Sequence, residues 1–210
     1  MEKEIDKKLE GAISSIRSIT PEYSKLGLEM FKAHGGSMYL MDLYVNAAIN
    51  RAEHLISAFC DLIEKRNFLV AAPVLRMQLD NLFRLRAAWL VSDINGFVSA
   101  VLNGTPIKNL KDKNGNRMSD RFLVENLCKE RPELKSIYEH TCSYVHLSDQ
   151  HFFAMIDDFT NEGKIRIHAS ESSGNVPLES YFEACSAFFQ ISGIMVSYIQ
   201  GWILTKDKKV

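Results

Sequence analysis

The sequence predicts an all-α fold, a multi-helix bundle with long central helices and at most one small β-hairpin, near residues 164–176. Apolar residues recur at helical spacing over stretches too long for strands. In 210 residues there are only 11 Gly and 5 Pro, too few for a turn-rich sandwich. The chain is 46% hydrophobic with a net charge of −1, whereas disorder needs low hydrophobicity and high charge. The length fits one domain or two small ones, and no linker divides it, so residues 1–210 read as a single bundle.

The elements follow in order. Residues 2–19 read as a helix with Ile5, Leu9, Ile13 and Ile16 on its buried face. Thr20-Pro21 stops it and starts a second helix, which ends at His34-Gly35-Gly36. Ser37 caps a long helix to Arg66, with apolar residues from Leu40 to Ile63 on one broad arc and Arg51 projecting into that arc. Residues 68–91 form a helix apolar over more than half its circumference, the pattern of a central helix. Ser92 or Asp93 caps a short helix ending near Asn103-Gly104. Residues 104–118 form a loop, made locally basic by Lys108, Lys111, Lys113 and Arg117, with Arg121 just beyond. Ser119-Asp120 starts another helix, which Arg131-Pro132 interrupts. The next carries Leu134, Ile137 and Tyr138. The alternation in Lys164-Ile165-Arg166-Ile167-His168 suggests a short strand, and 172–175 a turn. A final helix spans about Leu178–Leu204.

The first residues are charged and have no apolar secretory core, so a cytoplasmic location is expected. The four cysteines are scattered, with no C-x-x-C pair, which favours reduced thiols over a zinc ribbon or redox motif. From Ala184 to Leu204 the chain carries no charge, and Lys206, Lys208 and Lys209 follow. That stretch could span a bilayer. Ser186, Gln190, Gly193, Ser197 and Gln200, however, fall three or four apart and form one polar stripe. The stretch therefore reads as a core helix without stable membrane insertion, its stripe available for homo-oligomer contact.

The usual nucleotide-phosphate loops, the H-E-x-x-H metal motif and the G-x-S-x-G elbow are all missing, and no motif calls for a cofactor. Two polar groups stand out. Arg76, Asp80 and Arg84 lie at i, i+4 and i+8 on the central helix, where one carboxylate can bridge two guanidinium groups. With Arg51 they carry surplus positive charge, which fits a closed structural network or a site for a phosphate or carboxylate. The second group is Tyr144-Val145-His146-Leu147-Ser148-Asp149-Gln150-His151. His146 is the candidate acid or base, with Tyr144 and Asp149 orienting it and Ser148 and His151 as ligand contacts. A metal site on His146, Asp149 and His151 is a weaker option, because on a continuous helix His151 would point away from the other two.

The segment LVAAPVLRMQLDNLFRLRAAWL, with SYVHLSDQHF downstream, resembles bacterial all-helical domains of unknown function. Those carry an Arg-x-x-x-acid helix and a later Ser/Tyr-x-x-His-x-Ser segment. They are distantly similar to the HEPN superfamily of helical bundles found in RNases, toxins and phage-defence proteins. The resemblance covers about residues 37–160 and implies a nucleotide or RNA partner and metal-independent RNA cleavage. Catalytic HEPN domains have Arg four to six residues before His. Here the nearest Arg before His146 is Arg131, and His140 occupies the upstream position. Two expectations result: an anion-binding bundle with Arg51, Arg76, Asp80 and Arg84 facing His146, or a non-catalytic, homodimeric interaction bundle whose polar cluster is sealed in the core.

Overall fold

A computed structural model describes residues 2–159, 163, 165–167, 173 and 175–207. It is built on helices α1 (Glu2–Arg17), α2 (Ile19–Lys32), α3 (Leu40–Glu64), α4 (Phe68–Ala87), α5 (Ile94–Leu102), α6 (Asp120–Cys128), α7 (Glu133–Val145), α8 (Asp149–Met155) and α9 (Leu178–Asp207). Strands β1 (Ile156–Phe159) and β2 (Ile165–Ile167) pair antiparallel, with Ile156 opposite Ile167. The all-α bundle is therefore as predicted.

α4 is the central helix because apolar side chains nearly encircle it. Val74, Leu75, Leu79, Leu82, Phe83 and Leu85 are all buried. α3, α9, α7 and α6 pack around it, and α1 and α2 lie across α3 and α9. Pro73 falls in the second turn of α4. Three polar bonds fix the inner packing. Asn81 Nδ2 donates to the Ala48 carbonyl at 2.9 Å, Gln78 Nε2 donates to Ser192 Oγ at 3.1 Å, and Tyr23 Oη donates to the Ser192 carbonyl at 3.0 Å. They tie α4 to α3 and α9, and α9 to α2.

Several boundaries differ from expectation, each for a local reason. Thr20-Pro21 does not separate α1 from α2; Pro21 sits in the first turn of α2, where a missing N–H breaks no helical bond. Tyr39, not Ser37, begins α3, and its backbone N–H donates to Asp42 Oδ2 at 2.8 Å. α4 ends at Ala87, four residues early, and its first turn is capped by Asn67. Asp93 and Ser119 cap α5 and α6 as read. The 104–118 stretch is more ordered than a plain loop, because Asp112 Oδ1 accepts from the backbone of Asn114 and Asn116 and folds the Lys111–Arg117 turn. The hairpin lies earlier than 164–176. β2 is the predicted strand, but it pairs backwards with β1, which directly follows α8, rather than forward across the 172–175 turn. Lys164, His168, Ser172 and Gly174 lie outside the described residues.

α9 is long and apolar enough to cross a membrane by length and composition. Its predicted stripe, Ser186, Gln190, Gly193, Ser197 and Gln200, is exposed along its whole length, while Phe188, Ile191, Met195 and Ile199 are buried against the bundle. Lys206, read from sequence as part of a positive flank, is fully buried. Its Nζ donates to Asp42 Oδ2 at 2.9 Å and to the Met30 carbonyl at 2.6 Å, and Trp202 Nε1 donates to Asp42 Oδ1 at 2.7 Å. Both charges are wholly removed from water, so they are tolerable only as a fully bonded set.

Lys206→Met should therefore cost about 3–5 kcal/mol in urea unfolding, because it strands the Asp42 carboxylate. Replacing both members with apolar residues should restore much of that loss. A second prediction concerns alkali. Burial pushes the Cys60 thiol to about 11 and the Cys185 thiol to about 12, against an ordinary value of 9.0. Between those values the unfolded chain has lost protons that the folded chain keeps, so stability falls as pH rises above about 9. Urea midpoints measured across that range should decline, and Cys60→Ala with Cys185→Ala should flatten the decline.

Candidate anion-binding cleft

α4 sets three of the predicted residues at four-residue intervals, and α3 brings Arg51 beside them. The pairing is not the one that spacing alone suggests. Asp80 bridges Arg84, at 3.1 Å, and Arg51, at 3.3 Å; it does not reach Arg76. Helix geometry explains the choice, since an acid four residues before a base is the favoured order, and Asp80 precedes Arg84 but follows Arg76. Arg84 is further bound by Asp120 at the start of α6. Burial would lower the Arg84 pKa, but the Asp80 and Asp120 carboxylates outweigh it and hold the guanidinium above its ordinary value. Arg84 is thus closed into a structural network.

Arg76 is not. Its guanidinium lies 4.2 Å from the centre of the Tyr138 ring on α7, a cation–π contact, and it forms no ion pair among the described residues. Arg51, Arg76 and Asp80 line a cleft of about 390 Å³ together with Tyr138, Cys142 and His146. The cleft is open to solvent: the Arg51 side chain is 41% exposed and that of Asp80 25%. Asp80 already serves Arg51 and Arg84, so the guanidinium of Arg76 adds positive charge to the cleft lining that no carboxylate among the described residues pairs.

α7 divides the second predicted group. Tyr138, Cys142, Val145 and His146 fall at i, i+4, i+7 and i+8 and face the arginines. Ile137, His140, Thr141 and Tyr144 face the opposite way, toward a separate cavity. His146 stands at the C-terminal end of α7 in extended backbone, solvent-exposed and without a hydrogen bond among the described residues. Tyr144, placed by the sequence beside His146, is buried with its edge against Phe68 and donates to Gln150 Oε1 at 3.2 Å. Burial, with the Asp149 charge adding to it, raises the Tyr144 pKa, so its phenol stays a donor.

Asp149, Ser148 and His151 also stand apart from the arginines. Asp149 is exposed in the first turn of α8. Ser148 Oγ donates to the Ser143 carbonyl at 2.6 Å, and the Ser148 backbone N–H donates to His151 Nδ1 at 3.3 Å. That bond leaves the His151 ring proton on Nε2, and both residues serve to start α8. Among the described residues, no group of three His, Cys, Asp or Glu side chains is arranged to hold a metal. Of the nine predicted site residues, then, Arg51, Arg76, Asp80 and His146 converge. Tyr138, Cys142 and Met77 belong to the same cleft and were not predicted. The four-residue spacing of Tyr138 and Cys142 on α7, with His146 just past its end, was the available signal.

Compared with known proteins, the chain matches no family model, no curated protein and no solved structure.

Because Arg76 is half-buried and paired with no carboxylate, Arg76→Ala should lose only the Tyr138 stacking, about 0.5–1 kcal/mol. Thermal unfolding checks this; a loss as large as that of Lys206→Met would mark Arg76 as part of a closed network.

Proposed function

We propose that the cleft between α3, α4 and the end of α7 binds a phosphate-bearing ligand, a nucleotide or RNA. Arg51 and Arg76 would hold the phosphate, and His146 at the rim would give or take a proton. The observation that carries this reading is Arg76, a guanidinium oriented by an aromatic ring, beside a second arginine, with no carboxylate of its own. Guanidinium groups present a rigid fork of donors matched to phosphate oxygens, and a stacked one loses little freedom on binding. An arginine and a histidine that the sequence keeps seventy positions apart line one cleft, which supports acid–base chemistry on a bound phosphodiester. In RNA cleavage, His146 would take the proton of the 2′-hydroxyl as that oxygen bonds to phosphorus, the bond from phosphorus to the 5′-oxygen would break with that oxygen protonated by water, and Arg51 and Arg76 would stabilise charge on the phosphorus oxygens. With a net charge of −1, binding would be local to this cleft rather than a broad coating. The same reading places the protein in the cytoplasm.

The alternative is a non-catalytic bundle that pairs with a second copy. The fully engaged Arg84 and the exposed small-residue stripe of α9 favour it.

Titration with inorganic phosphate, a mononucleotide and a labelled single-stranded RNA at low salt tests the proposal. Arg76→Gln should weaken each about tenfold or more, and binding should fall steeply as salt rises. His146→Ala should abolish cleavage of the labelled RNA while leaving its affinity within about twofold. Absence of binding to all three at low salt would sink the proposal.

A further inference from the structure

On the opposite face of α7 from the arginine cleft lies a cavity of about 190 Å³, where α4, α7 and α9 diverge. Short side chains make up part of its lining: Ala72 on α4 and Ala184 and Ala187 on α9. Phe68, Leu75 and Tyr144 complete an apolar wall, and all three are buried. About 150 Å³ of apolar space is enough for a benzene ring.

The mouth is polar, and Ser136 and Ser180 add hydroxyl groups to the lining. Glu183 on α9 and His140 on α7 stand there, both exposed. The Glu183 carboxylate has no ion pair or hydrogen bond among the described residues, and the His140 ring makes only a tilted contact, 5.8 Å between centroids, with Tyr144. The Glu183 carboxylate accepts hydrogen bonds and carries the charge that an ammonium group needs. The buried polar groups nearby are already spent: Thr141 Oγ1 donates to the Ile137 carbonyl and Tyr144 Oη to Gln150. The cavity thus offers an apolar floor for a ring and an anionic acceptor where the ring's substituent would emerge.

We propose that this cavity is a second ligand site, for a small primary amine carrying an aromatic or compact aliphatic body, its ammonium held at Glu183 beside His140. The proposal is independent of the anion cleft: the two sites share α4 and α7 but no lining residue, and they select ligands of opposite sign.

Benzylamine, benzyl alcohol and benzoate share one ring and differ in the charge of the head group, so they test it directly. Ligand-observed NMR on the full chain should show saturable benzylamine binding in the millimolar range suited to so few atoms. Benzyl alcohol should bind more weakly and benzoate not at all. Glu183→Gln, an exposed change that leaves the packing intact, should weaken benzylamine about fivefold and bring it level with benzyl alcohol. Ala184→Leu should fill the floor and abolish binding of both. No saturable benzylamine binding to the unaltered protein, benzoate binding as well as benzylamine, or an amine preference that survives Glu183→Gln would each overturn the proposal.

Discussion

The burial of α4 is the constraint on which the rest depends. A helix covered by α3, α9, α7 and α6 must pair the charges it carries or leave them in contact with water, because an unpaired charge inside costs several kcal/mol, roughly. The helix nevertheless carries three arginines, and each resolves the conflict differently. Arg86 reaches Glu130 and lies 5.6 Å from the centre of the Tyr198 ring. Arg84 is held between two carboxylates. Arg76 takes an aromatic face in place of a charge and keeps its contact with water. Function, on the reading advanced above, resides in the arginine whose structural demands are least satisfied.

Much of this architecture was legible in the sequence because it follows from periodicity. The buried arc from Leu40 to Ile63, the near-complete apolar coat of α4 and the narrow polar stripe of α9 all depend on spacing within one helix. So does the convergence of Arg76 and Asp80. Pairings between helices were not legible. Asp80 chose Arg51 from α3 over Arg76 from its own helix, and a sequence cannot say how two helices are rotated against each other. Tyr144 and His146, two positions apart, ended on different sides of α7 for a local reason: Tyr144 lies within the helix, whereas the backbone turns extended at His146.

Lys206 gives the sharpest contrast between the two views. Following an uncharged apolar run, it had the pattern of a membrane-flanking cation. In the fold it is a fully buried one, made tolerable by an aspartate 164 positions earlier in the chain. Arg66 is a related case. It takes a left-handed backbone conformation, φ 56°, at the end of α3, where glycine is usual. Its side chain lies beside the Tyr181 ring, 5.5 Å from its centre, and its guanidinium bonds Asp6 at 2.5 Å, contacts that glycine could not make.

The bonds that seal the core join residues far apart along the chain: 160 positions between Asp42 and Trp202, and 169 between Tyr23 and Ser192. Helical proteins fold quickly when their contacts are local. Here the last helix supplies a wall for α1, α2 and α4, so none of those can finish packing before it docks. A growing polypeptide would carry its buried tyrosines and phenylalanines uncovered until almost all of this sequence had been made. Closing the bundle thus requires contacts between residues about 160 positions apart, and contacts of that separation slow folding relative to a bundle held by local ones.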